Sequence, residues 1–192
     1  KYLSEVCDIR IIWGGSKSIQ AIRQFPLQDR SFEITFADRN SLCIINSDEI
    51  KKLKKFDLNL LVKNFYNDTY LFDQNACSSP HLIIWTGNSV KLSRKKFWVA
   101  LNDLLKKNYI IPDKASYDKF NQFCVDTAKL KNIKNHERYG NYIYTIFLNK
   151  IDKSIENFKG KWGYFYEYET KNFNNLQNVI GKKYQTLTYY GV

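Results

Sequence analysis

Residues 71–86 read Leu71-Phe72-Asp73-Gln74-Asn75-Ala76-Cys77-Ser78-Ser79-Pro80-His81-Leu82-Ile83-Ile84-Trp85-Thr86. Small and polar residues up to Pro80 give way to the run HLIIWT, which has the length and the β-branched and aromatic content of a buried strand, closed by Gly87-Asn88. Upstream, Leu58, Leu61, Val62 and Phe65 recur at helical spacing behind Asp57, a candidate cap. Downstream, Phe97, Leu101, Leu104 and Leu105 mark the inner face of a helix from about Leu92 to Asn108. A helix, a small-residue turn, a strand buried on both faces and another helix together predict an α/β chain.

The same alternation extends in both directions. Residues 8–13 (DIRIIW) predict a short buried strand ending at Gly14-Gly15, and Ser16 starts a helix with Ile19, Ile22 and Phe25 on one face, stopped at Pro26. A strand pair is expected at Phe32–Phe36 and Leu42–Ile45, then a polar helix over Asp48–Lys55 with Ser47 as N-cap. Toward the C-terminus, residues 113–135 predict a polar helix and 138–149 a strand. Residues 163–168 predict another strand, Thr170 caps a helix through Leu176, Val179 and Ile180, and residues 185–190 form a last strand.

The 192 residues are 44% hydrophobic and 26% charged, an ordinary globular balance. No run reaches the roughly 18 apolar residues of a membrane span. The chain begins at Lys1 and contains no methionine, as expected of a piece of a longer protein. Its four cysteines form no CxxC pair, and no secretory leader precedes them, which points to reduced thiols in the cytoplasm; Cys7 and Cys43 sit in apolar company and are expected in the core. Two histidines, His81 and His136, are too few for a histidine-rich metal site, and no metal is expected. The net charge of +11 is spread over scattered or helical lysines, such as Lys51, Lys52, Lys54 and Lys55, and forms no single basic block. It is read as background and solubility, with some preference for phosphate-bearing ligands.

Chemistry concentrates at Cys77. Small neighbours allow a carbonyl close approach to the sulfur, backbone N–H groups released at a bend can hold an oxyanion, and a turn or helix start lowers a thiol pKa. A cysteine filling a tight turn is the other reading of the same residues. Gly14-Gly15, between a strand and a helix, could admit a pyrophosphate against the helix N-terminus, yet without full GxGxxG spacing a plain strand-to-helix turn explains it as well.

The stretches IIWGGSKSI (11–19), FADRNSLCII (36–45) and LFDQNACSSPHLI (71–83) resemble, in order and spacing, the LuxC-type acyl-CoA reductases, the fatty acid reductases of bacterial luminescence, within the aldehyde dehydrogenase superfamily. The resemblance covers Asp8 to about Leu92 and runs more loosely through GYFYEYETKNFNNLQNVIGKK (163–183). It implies an aldehyde-dehydrogenase-like α/β fold. Residues 1–32 would end a nicotinamide-cofactor domain, and 33–192 would form most of a Rossmann-like, three-layer α/β/α catalytic domain.

The resemblance also implies that Cys77 accepts the acyl group, its backbone N–H helping to bind the oxyanion, and that Trp13, Gly14, Gly15 and Ser16 lie near the phosphates of NADPH. The activity implied is NADPH-dependent reduction of long-chain acyl-CoA to a fatty aldehyde through an acyl-cysteine thioester. Partners allowed for are an acyl-activating (acyl-protein) synthetase and a second copy of the chain.

Thr35 stands where hydrolytic relatives carry a water-activating glutamate, which favours reduction over hydrolysis. Glu33, two residues away and on the same strand face, is a candidate substitute, and Glu156 is the nearest match to a glutamate that touches the nicotinamide ribose. His81 could meet a CoA phosphate or assist protonation, or simply sit at the mouth of a strand. Two other functions are compatible with these residues. One is an acyl transferase or thioesterase using the same cysteine. The other is a non-enzymatic basic module binding nucleic acid through its 14 tyrosines and 13 phenylalanines, although runs such as YIYTIF are explained more simply as core.

Overall fold

A computed structural model describes all residues, 1–192. The chain forms two compact units, Lys1–Arg39 and Asn40–Val192. The division falls seven residues beyond the expected 32/33 boundary, for a hydrogen-bonding reason. The strand Phe32–Phe36 (β2) pairs in parallel with Ile9–Trp13 (β1), so it belongs to the first unit and does not pair with the strand after it.

The first unit holds helix α1 (Tyr2–Val6), β1, helix α2 (Ser16–Arg23) and β2. Only one face of its two-stranded sheet is covered, where Ile12 and Ile19 are buried. On the other face Ile9, Ile11 and Trp13 alternate with their β2 neighbours Phe32, Ile34 and Phe36, all exposed. The expected strand is therefore present, but it is not buried on both sides.

The second unit is built on a six-stranded sheet. Its strands are β3 (Asn40–Asn46), β4 (Leu82–Thr86), β5 (Ile133–Tyr139), β6 (Ile143–Leu148), β7 (Tyr164–Glu169) and β8 (Tyr184–Tyr190), in the order β5-β6-β7-β4-β3-β8. All pairs are parallel except the β5–β6 hairpin at one edge. The period-two geometry of strands sends alternate residues to opposite faces.

Cys43, Ile45, Ile83, Trp85, Phe147 and Phe165 meet helices α3 (Ser47–Lys52), α4 (Lys55–Thr69) and α5 (Val90–Asn108). Leu42, Ile44, Leu82, Ile84, Tyr144 and Ile146 meet Phe123 of helix α6 (Asp113–Lys129) and the segments around Ile155 and Leu176. The result is the expected α/β/α sandwich. Edge strand β5 carries Lys134, Asn135, His136 and Glu137, charged and polar residues that discourage further pairing.

Several local expectations change. Residues 133–135 continue strand rather than helix, and 138–149 is a hairpin with Gly140-Asn141 at its turn. The expected helix after Thr170 shrinks to a single 3₁₀ turn, Phe173–Leu176, capped by Asn172. Asn46, not Ser47, caps α3 by accepting from the Asp48 N–H, and Asp57 lies inside α4, whose N-cap Lys54 gives no side-chain bond. Cys43 is buried, as expected, and burial pushes its thiol up to about 11; Cys7 is only half-buried.

One buried ion pair ties the sheet to α5. Glu167 of β7, fully enclosed, accepts from Arg94 Nε at 3.0 Å and Nη2 at 2.5 Å, and from the indole N–H groups of Trp85 (2.7 Å) and Trp98 (2.9 Å). Both carboxylate oxygens are thus occupied, the condition under which a buried charge is tolerated.

Candidate active site

The sequence-predicted site residues fall in both units. Trp13, Gly14, Gly15 and Ser16 form one strand-to-helix turn of the first unit. Cys77 lies in the second, in the turn that joins α4 to β4.

At Cys77 the chain leaves α4 through Tyr70 and makes a series of tight turns, with the Gln74 N–H bonded to Thr69 O and the Ser79 N–H to Ala76 O. Cys77 is exposed, while Gln74 and Ser79 beside it are fully buried. The turn is held from behind. Ser41 Oγ, at the start of β3, donates to the Cys77 carbonyl at 2.5 Å, and Ser79 Oγ donates to Asp68 O at 2.7 Å. Gln74 acts as a four-point clamp: its Nε2 donates to Pro80 O and Tyr164 O, and its Oε1 accepts from the Gly163 and Tyr164 N–H groups, each at 3.0 Å.

Asp73 completes the frame by accepting from Tyr109 Oη at 2.6 Å through its carboxylate, and from the Trp162 N–H at 3.1 Å through its carbonyl. Asp73 (φ 53°), Gln74 (φ 61°) and Trp162 (φ 55°) are all left-handed non-glycine residues. Such strain persists only where surrounding bonds over-determine it. Gly163 has to be glycine, because at φ +83° a Cβ would lie 2.1 Å from Tyr142 O.

The backbone N–H groups of Cys77 and Ser78 donate to no group of the protein. An exposed sulfur therefore sits beside two free donors on a rigid loop, an arrangement able to bind a carbonyl and stabilise the oxyanion formed on attack. Cys77 lies at the amino ends of the parallel strands. Glu156 is on the same edge: its backbone carbonyl accepts from Asn40 Nδ2, next to Ser41, at 2.7 Å, and its carboxylate is 3.7 Å from Lys183 Nζ.

His81 is 3% exposed, and neither ring nitrogen meets a partner in hydrogen-bonding geometry. Burial, reinforced by Lys159 and Lys161 and only partly offset by the nearby Gly160 backbone, whose approach falls short of good hydrogen-bonding geometry, pulls it down to about 3, so at neutral pH the ring is uncharged and walled off from a phosphate in solvent.

In the first unit, Trp13 stacks on Phe36 with ring centroids 4.7 Å apart, and the Gly14 N–H donates to Phe36 O at 3.2 Å. Gly15 is the N-cap of α2 and offers no side-chain oxygen, so the first N–H groups of the helix are open to an anion. A Cβ on Gly15 would lie 2.8 Å from a carboxylate oxygen of Asp38, the end of an exposed side chain that can swing aside, so space alone does not demand glycine here. The glycine pair and the uncapped helix suit a phosphate, and the Asp38 carboxylate opposes it.

Glu33 is not a free base. Arg23 Nε bonds one carboxylate oxygen at 2.6 Å, and Arg10 bonds the other through Nε (2.9 Å) and Nη2 (2.5 Å), holding the carboxyl below its usual range. Sequence reading missed Ser41 and the Gln74 clamp. The available signal for Gln74 was an amide in a turn too crowded to solvate it, and Ser41 gave none.

The sequence matches the family model described as acyl-CoA reductase (LuxC) over residues 1–139. No curated protein is significantly similar to it. Among solved structures it is similar to an NAD-dependent benzaldehyde dehydrogenase from Corynebacterium glutamicum, with TM-score 0.61 and 9% identity over 98% of this chain and 48% of that one. It is also similar to betaine aldehyde dehydrogenase from Staphylococcus aureus in complex with NAD+, with TM-score 0.60 and 16% identity over 98% and 45%. Aldehyde dehydrogenase 21 from Physcomitrella patens gives TM-score 0.58 and 12% identity over 95% and 44%. The chain spans less than half the length of these structures, and the likeness is one of fold, that of the aldehyde dehydrogenases.

Proposed function

The chain belongs to the acyl-CoA reductase (LuxC) family, and from that premise we propose that it carries the acyl-accepting site of a fatty acyl-CoA reductase, with Cys77 as nucleophile. The supporting observation is the exposed Cys77 sulfur on a turn clamped by Ser41 and Gln74, with two unengaged backbone N–H groups beside it.

The Cys77 thiolate attacks the carbonyl of a long-chain acyl thioester. A carbon–sulfur bond forms, the carbonyl electrons move to oxygen, and the Cys77 and Ser78 N–H groups receive that oxyanion. Collapse expels the carrier thiolate and leaves acyl-Cys77. Trp13, Gly14, Gly15 and Ser16 would hold a phosphate of NADPH through the close-approaching glycines and the first turn of α2. When bound, that cofactor supplies the hydride that takes the acyl group to the aldehyde oxidation level. Cys77 then leaves as thiolate and the aldehyde is released.

Keeping acyl-Cys77 from water is part of the same reading. Thr35 cannot act as a general base, and Glu33 is neutralised by Arg10 and Arg23. A free nucleophilic thiol suits a reducing compartment, and we place the reaction in the cytoplasm.

The test is intact mass spectrometry after mixing the chain with a long-chain acyl-CoA or the corresponding p-nitrophenyl ester, comparing wild type with Cys77→Ala. A single hydroxylamine-labile acyl adduct, absent from the variant, supports the assignment. An adduct that persists in Cys77→Ala, or no adduct from either donor, overturns it.

A further inference from the structure

The helical layer of the second unit carries a feature that the acyl site does not use. Between α4 and α5, with the end of α3 beside them, runs a groove of about 990 Å³. Its floor is apolar: Leu58 and Val62 from α4, and Leu92, Val99 and Leu104 from α5. Leu92 and Val99 are 58% and 41% exposed. The rim holds Lys51, Lys55, Lys63, Lys95, Lys96 and Lys107 against a single acid, Asp103.

That acid is already paired with Lys106 at 3.6 Å. Lys96 is turned inward, donating to Ile50 O at 2.9 Å and Leu53 O at 2.7 Å. Lys55, Lys63, Lys95 and Lys107 form no ion pair. Six lysines to one acid compares with 30 basic to 19 acidic residues in the whole chain, so the groove is not a sample of the general composition.

Gathering like charges costs the folded state electrostatic repulsion, and leaving leucine and valine in water forgoes burial. An occupant with an apolar stripe flanked by carboxylates relieves both. The first turn of α4 through Lys63 lines the groove, whereas the Cys77 turn follows the last turn of that helix, so the groove is separate from the acyl site. Its walls set the occupant's size. The longer wall is α5, which lines the groove from Leu92 to Lys107, about 24 Å at the α-helical rise, and this matches a partner helix of about four turns.

We propose that the α4–α5 groove docks an acidic amphipathic helix of a partner protein, its apolar face on Leu58, Leu92 and Val99 and its carboxylates against the rim lysines. Helix-in-groove recognition reads anchors at i, i+3, i+4 and i+7 in this way. Nucleic acid would leave the apolar floor uncovered. A lipid surface would need apolar side chains that protrude, and these line a concavity.

The test uses a fluorescein-labelled peptide of about 16 residues, with leucines at helical spacing and glutamates flanking them, titrated against the chain and followed by anisotropy. A matched peptide with lysine for glutamate, anionic phospholipid vesicles and single-stranded DNA are run beside it. Saturable binding of the acidic peptide is expected, weakening with salt. Binding should fall about tenfold in Lys55→Glu/Lys95→Glu, a loss equivalent to about 1.4 kcal/mol, and also in Leu92→Ser. All of these residues are exposed, and circular dichroism confirms that the variants remain folded. The proposal is overturned if the acidic peptide does not bind, or if it binds both variants as it binds wild type. Preference for the basic peptide, the vesicles or DNA would overturn it equally.

Discussion

Ser41 Oγ donates a 2.5 Å hydrogen bond to the backbone carbonyl of Cys77, joining the first residues of β3 to a turn 36 positions later in the chain. The bond fixes the orientation of the Cys77–Ser78 peptide, and with it the direction of the Ser78 N–H. Ser41 is buried, so its hydroxyl has no competing water.

Ser41→Ala is expected to cost only about 1 kcal/mol of stability, the usual net value of one hydrogen bond. It should slow acyl-adduct formation at Cys77 by more than that loss of stability would explain, because the free N–H groups lose their fixed aim. Ser41→Thr, which keeps the hydroxyl, should recover most of the rate. Timed mass spectrometry of the adduct measures both, and equal rates in Ser41→Ala and wild type would refute a positioning role.

Gln74→Leu removes four hydrogen bonds at once and leaves the Gly163 and Tyr164 N–H groups and the Pro80 and Tyr164 carbonyls without their partner. Unpaired buried groups cost roughly 1–3 kcal/mol each. Allowing for partial relaxation, a loss of about 3 kcal/mol in denaturant unfolding is expected, and alkylation of Cys77 should change with it.

Glu167→Ala leaves two indole N–H groups unpaired in the interior and the buried Arg94 guanidinium with only its longer contact to Glu137 at 3.8 Å. Breaking a buried pair by removing one partner costs about 3–5 kcal/mol. The urea midpoint should drop accordingly, whereas Glu49→Ala, which breaks only an exposed pair with Lys52, should leave it nearly unchanged.

His81 predicts a pH dependence. Its folded pKa, lowered by burial to about 3, lies below the ordinary value of 6.5 expected when unfolded. Between those values the unfolded chain binds the extra proton, so stability rises with pH through this window. The contribution is fully present above about 6.5 and is lost toward pH 3, by up to roughly 1.4 kcal/mol per pH unit. Thermal melts between pH 4 and 7 of wild type and His81→Phe should differ in slope, the variant being flatter.

Glu33→Gln should leave the hydrolysis rate of acyl-Cys77 unchanged, because both carboxylate oxygens are already occupied by Arg10 and Arg23. A marked fall in that rate, followed by loss of the mass adduct, would show that Glu33 does activate water.

Local patterns of residues were enough to read the α/β class, the positions of most strands and helices, and Cys77 as the residue to single out. These are local properties: the spacing of apolar residues along a few turns, and the small side chains around one thiol. Tertiary structure alone decided what depends on segments remote in sequence. Parallel pairing placed Phe32–Phe36 beside Ile9–Trp13 rather than beside Asn40–Asn46. The sheet order brought Tyr164 to Gln74 across 90 positions and Ser41 to Cys77 across 36. Lysines that look scattered along residues 51–107 converge on one groove because α4 and α5 lie side by side. No window of sequence contains these contacts, since each arises from the burial of a whole sheet face and not from the preference of any short segment.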